Sequence, residues 1–209
     1  MAFLRLKEKI SFYRNDICTV IISLLLFAMA ASFLYKYVSE NNPESRKPMV
    51  IHMNSFSASN FNITDSVLEA EWEANLTFEN RDACFEISIN PFETYLYHKE
   101  ILLSCTMVES IRLNQRGQKK VLIKANQSGC RGVKPKLEEP FLSEIRKEKE
   151  NDGVLMTLEM NMEYAASKHG VGKYWDLSLT PSCSCFKVSF LGATHGKYMG
   201  DMMNCPINW

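Results

Sequence analysis

Neither sign of charge is in excess. The 24 basic and 24 acidic residues balance over 209 positions, so no overall field draws nucleic acid or another polyanion to the chain. Catalytic punctuation is missing as well. The four histidines, His52, His98, His169 and His195, show no metal-ligand spacing and read as surface or turn residues. There is no nucleophile elbow, no phosphate-cradling glycine loop and no dinucleotide fingerprint; Gly170, Gly172, Gly196 and Gly200 read as turns. The paired acids Glu138 and Glu139 lie on a solvated segment. A non-enzyme without metal or cofactor is therefore expected.

What is present begins with a long uncharged run. Ile17 to Tyr35 carries no charged residue over 19 positions, interrupted by Thr19, Ser23 and Ser32. As a helix it would span roughly 28 Å, the thickness of a bilayer's hydrocarbon core. The run predicts a transmembrane signal-anchor at 17–35, after a cytoplasmic tail at 1–16 and before a polar, proline-containing stalk at 36–48. A cleaved secretory signal ending near Ala31 is the alternative, since Ala28-Met29-Ala30 has a small-residue processing pattern. Arg5, Lys7, Lys9 and Arg14 precede the run and Lys36, Arg46 and Lys47 follow it, so flanking charge biases the orientation only slightly. Sequons add to that bias: Asn62, Asn75 and Asn126 each open an Asn-x-Ser/Thr triplet, and all follow the run. Cys18, at the cytoplasmic edge, is a candidate for palmitoylation or a plain buried cysteine.

Six cysteines lie beyond the run: Cys84, Cys105, Cys130, Cys183, Cys185 and Cys205. On the non-cytoplasmic side, two or three disulfides are expected among them. Cys183 and Cys185, two apart in a strand-like stretch, should share a face and so take different partners. The chain has no Cys-x-x-Cys, but a thiol oxidoreductase using Cys183 and Cys185 is kept as an alternative activity.

Downstream the chain reads as β. Leu68, Ala70, Trp72, Ala74, Leu76 and Phe78 alternate with polar residues, as do Val154, Met156, Leu158, Met160, Met162 and Tyr164. Shorter runs occur at Val121, Ile123, Ala125, at Trp175, Leu177, Leu179, and at Phe186, Val188, Phe190. Turn-rich stretches separate them, which predicts an antiparallel β-sandwich and leaves no helices for a parallel α/β sheet. In this phase all three sequon asparagines face solvent. Leu137 to Glu150 predicts one amphipathic helix, with Phe141, Leu142 and Ile145 on its apolar side. Tyr95, Tyr97 and Trp175 are candidates for an aromatic recognition surface, with core packing the other reading.

The order of these segments resembles the plant late embryogenesis abundant type 2 family, in its membrane-anchored non-race-specific-disease-resistance and harpin-induced-like branch. The resemblance runs from the basic tail and anchor through Phe61-Asn62-Ile63-Thr64, the Trp72 strand and Phe78-Glu79-Asn80. It continues through the tyrosine-rich stretch and charged hairpin from Ile87 to Ser104, to the closing Cys185-Phe186-Lys187-Val188-Ser189-Phe190. The chain departs from the family at Asn80-Arg81-Asp82, where Asn-Pro-Asn is common, and in its cysteine- and methionine-containing tail. The resemblance implies a fibronectin type III-like sandwich of about seven strands over 49–191, followed by a tail at 192–209. It also implies a plasma-membrane location with the β domain outside, and a part in defence or stress response through cell-wall or protein partners. A membrane-protective or lipid-binding stress module is the remaining alternative.

Overall fold

The computed structural model describes residues 23–34, 48–64, 67–126, 137–151, 153–168 and 172–207. Two compact units result, one within residues 1–47 and one from Pro48 onward. In the first, residues 23–34 form helix α1, whose Leu24, Leu26, Phe27 and Phe33 side chains are all more than half exposed. Among the described residues, no helix is long and apolar enough to cross a membrane. The rest of the predicted 17–35 span, Cys18 and most of the stalk lie outside the described residues.

The second unit is mainly antiparallel β. Its strands are β1 (Met49–Ile63), β2 (Leu68–Asn80), β3 (Glu86–Ile89), β4 (Phe92–His98), β5 (Ile101–Val108), β6 (Ile111–Leu113) and β7 (Gln118–Asn126). After helix α2 (Glu139–Asn151) come β8 (Val154–Lys168), β9 (Gly172–Leu179), β10 (Ser182–Phe190), β11 (Gly196–Tyr198) and β12 (Met203–Cys205). The main sheet runs β5-β4-β8-β10-β11-β1-β2-β7. At its two ends β5 meets β7, where the Ser104 hydroxyl donates to the Asn126 carbonyl at 2.5 Å. The sheet thus curls into a nearly closed barrel.

This differs from the expected pair of separate sheets with about seven strands. The reason is β8. Its first half pairs with β4 and β10, and its second half pairs with β3 and β9, so one 15-residue strand ties both groups into a single 12-stranded sheet. Alternation shows which side of a strand is buried but not which strands it joins. The segment from Gly192, read above as a tail, supplies β11 and β12, both paired with β1.

The alternating residues fill the interior as their spacing requires. All six apolar positions of β2 and all six of β8 named above are buried, while Leu155, the break in the polar phase, is exposed. Phe56 stacks near Phe186 at 4.7 Å and near Trp72 at 6.0 Å, and Phe61 lies 4.6 Å from Phe190. Each such side chain, removed from water, contributes on the order of 2–3 kcal/mol. Leu177 is the exception: β9 pairs with β8 alone, and Leu177 is 45% exposed on it.

Helix α2 packs against β8 and β10 and reaches the β4–β5 turn at Lys99 and the Thr64 carbonyl after β1. It starts with Glu139 and Pro140, suited to a first turn by charge and fixed φ, and buries Phe141, Leu142 and Ile145 as predicted. Gly153 ends it with φ +103°, donating its N–H to the Glu148 carbonyl at 2.9 Å. Asn80 braces the barrel elsewhere. Its buried amide donates to the Phe85 and Asn114 carbonyls, both at 2.9 Å, and accepts from the Asp82 N–H.

Candidate functional site

Among the described residues, the barrel interior is closely filled. Its cavity, lined by Phe56, Trp72, Thr94, Leu96 and Ser104 among others, measures about 10 Å³, the room of a single water. Barrels that carry ligands inside leave hundreds of cubic ångströms for them. The groups singled out by sequence are placed in different ways.

Asn62 and Asn126 are exposed, and Asn75 is half-buried on the outward side of β2, so all three have the orientation that strand phase predicts. Asn62 stands in a cleft of about 520 Å³ between β1, α2 and the β10–β11 loop, with Arg146 and Lys149 in its wall. The Lys149 ammonium lies 5.0 Å from the Phe61 ring centre and 5.4 Å from Phe190, and donates to the Ala193 carbonyl. Burial holds its pKa below the usual lysine value. Asn75 is more restricted, because Thr77, the hydroxyl of its triplet, is buried and accepts from the Asn54 amide at 2.8 Å.

The cysteines divide into bonded and free. Cys183 and Cys205 form a disulfide, tying β10 to β12. Cys105 is also disulfide-bonded, and Cys130 lies outside the described residues. Cys84 and Cys185 are free thiols on the surface. Two readings of the sequence are corrected here. Cys183 and Cys185 do not share a face: a bulge between Cys183 and Phe186, with Cys185 at φ +57°, leaves Cys183 buried and Cys185 exposed. Nor do they form a dithiol, since Cys183 is bonded to Cys205. Strand alternation cannot foresee a bulge; the Ser-rich Thr180 to Cys185 stretch is the only sequence hint of irregular backbone.

Tyr95 and Tyr97 turn out of the core, since Thr94, Leu96 and His98 take the buried positions of β4. Their rings are 6.3 Å apart, and the Tyr95 hydroxyl donates to Glu93. Burial, and then the nearby Glu159, raise the Tyr97 pKa. The Trp175 side chain and His169 lie outside what the structure describes. Two strands, β4 and β8, thus bring two tyrosines and two carboxylates together.

His98 was read as a surface residue, yet it is fully buried beneath α2. One ring nitrogen meets the Leu155 carbonyl at 2.7 Å and the other faces Glu148 at 3.6 Å. The adjoining turn residue Lys99 bridges Glu144 and Glu148 of α2. These hydrogen bonds raise the Lys99 pKa and lower that of Glu144. The cluster docks the helix. His52 and His195 stay near the surface, His52 lying 3.7 Å from Glu79 and His195 bonding Thr194. Among the described residues, no group of three or more His, Cys, Asp or Glu side chains is placed to hold a metal ion.

No protein-family model matches the chain, and no curated protein matches it. Among solved structures, it is similar to a protein from Archaeoglobus fulgidus at 13% identity, over 66% of this chain and 99% of that one, with a TM-score of 0.29.

Proposed function

We propose that the chain is a non-enzymatic, single-pass membrane glycoprotein. In this reading its β barrel stands outside the plasma membrane and meets its partners with its surface. The observation that carries the reading is α1. Helix 23–34 is apolar on all sides, with Phe27 75% and Phe33 73% exposed, a surface suited to lipid rather than water. A helix over the whole uncharged run from Ile17 to Tyr35 would reach bilayer thickness. The Cys183–Cys205 disulfide favours an oxidising compartment, and the outward phase of Asn62, Asn75 and Asn126 suits glycan attachment.

The defence or stress role rests on the resemblance to the membrane-anchored late embryogenesis abundant type 2 branch, and cell-wall or protein partners go with it. A membrane-protective or lipid-binding stress module is the alternative reading, and the described interior cavity of about 10 Å³ gives it no support as a carrier of acyl chains. A thiol oxidoreductase is less favoured because Cys183 is engaged with Cys205. Alkaline carbonate washing of membranes from expressing plant cells tests the anchor. The full chain should stay in the pellet and a chain lacking 17–35 should leave it; release of the full chain would overturn the reading. Proximity labelling, with wall detachment in plasmolysed cells, then separates protein partners from wall adhesion.

A further inference from the structure

The barrel is closed at one point and open beside it. Strand β7 pairs with β2 over nine residues, from Glu71 opposite Asn126 to Glu79 opposite Gln118. On its other edge it pairs with no strand among the described residues. Strand β5 reaches that edge at the Ser104–Asn126 bond. Farther along, the two sides part into a groove of about 290 Å³, lined by residues 107–111 on one side and 119–124 on the other.

We propose that this seam is a docking site for an extended, acidic peptide segment of a partner protein, which adds a strand to the free edge of β7. Three features select that occupant. An unpaired edge leaves a row of backbone donors and acceptors that another extended chain satisfies. Met107 and Leu122, 59% and 54% exposed, flank the groove and offer contact to every second side chain of an added strand. Charge then sets the sign. Lys119 and Lys120 are exposed with no ion pair among the described residues, whereas Lys124 is held by Glu73 at 2.6 Å and Glu109 is the one acid in the lining.

Lysines on an edge also serve to discourage strand addition by like chains. Here they do both. A second copy joined antiparallel along 119–124 would set Lys119 of each chain opposite Lys124 of the other, a like-charge contact that disfavours self-pairing and leaves acidic strands admitted. Six residues, 119 to 124, give a partner strand about 20 Å of edge. The proposal is independent of the membrane reading, because it concerns one face of the barrel.

The test uses the full-length chain in lipid nanodiscs and three labelled hexapeptides. One alternates glutamate with valine, one alternates lysine with valine, and one is the glutamate peptide N-methylated at alternate residues. Fluorescence anisotropy should show the glutamate peptide binding at least about tenfold tighter than the lysine peptide, and N-methylation should abolish binding. The double variant Lys119→Glu/Lys120→Glu should reverse the preference. Backbone hydrogen exchange should slow at residues 119–124 and not along β1. Equal affinity for both charges, or peptide binding without slowed exchange on β7, would overturn the proposal and mark the edge as merely blunted. Slowed exchange there that rises with protein concentration alone would assign the seam to a second copy.

Discussion

The Asn80 side chain holds three hydrogen bonds at a position 1% exposed, and two of its partners, Phe85 and Asn114, lie in separate loops. Replacing it by alanine removes the partner of two carbonyls and an N–H at a part-buried site. Asn80→Ala should cost about 2–3 kcal/mol in urea unfolding, far more than a surface substitution. Gly153 is equally constrained: at φ +103°, an added Cβ would meet the Val188 carbonyl oxygen at 2.6 Å. Gly153→Ala should cost about 1–3 kcal/mol by the same measurement. The cysteines give a paired expectation. Cys183→Ala/Cys205→Ala opens a link spanning 22 residues and should lose about 3 kcal/mol, while Cys84→Ser and Cys185→Ser should change stability by under about 0.5 kcal/mol. At this scale the sequence shows types but not partners. Asn80-Arg81-Asp82 reads as a turn, yet the bond from Asn80 to Asn114 crosses 34 positions. Cys185 reads as a neighbour of Cys183 until the bulge turns it outward.

Helix α2 is the element whose docking is most open to test. Leu142 and Ile145 are fully buried, and Leu142→Ala should cost about 2–5 kcal/mol as its site is left partly empty. The salt contact of Lys99 with Glu144 responds to pH. The Glu144 carboxyl is held below its ordinary value of 4.5, so the contact is complete above that value and is lost as pH falls through the lowered one. The Lys99 ammonium is held above 10.5, so the contact persists below that value and is lost as pH rises through the raised one. Amide exchange along α2, corrected for its intrinsic pH dependence, should speed up as pH falls below 4.5 through the lowered Glu144 value. About half of the elements were legible: β2, β7, β8, β9, β10 and α2 were read from their periodicity, whereas β1 and β3 to β6 were not. The long alternations became β2 and β8, and the apolar stripe of Phe141, Leu142 and Ile145 became the seat of α2. The strands β11 and β12 were not, because three residues carry no periodicity; they exist through pairing with β1, more than 130 positions earlier.

For the whole molecule, the described interior of the barrel is closely packed, and the α1 surface suits a lipid setting. Antiparallel β structure was readable from alternation, whereas closure was not, since it depends on the bend of β8 and the meeting of Ser104 with Asn126. The surface candidates were readable as residue types; only the fold separates the outward Tyr95 and Tyr97 from the buried His98. The central claim is that the barrel lies outside the membrane as a glycoprotein, and site-resolved glycosidase treatment of the full chain from plant membranes tests it most directly. Digestion should raise gel mobility, with single variants Asn62→Gln, Asn75→Gln and Asn126→Gln each removing one step, and with the Asn75 glycan released only after denaturation. Unchanged mobility in native and denatured samples alike would contradict the account.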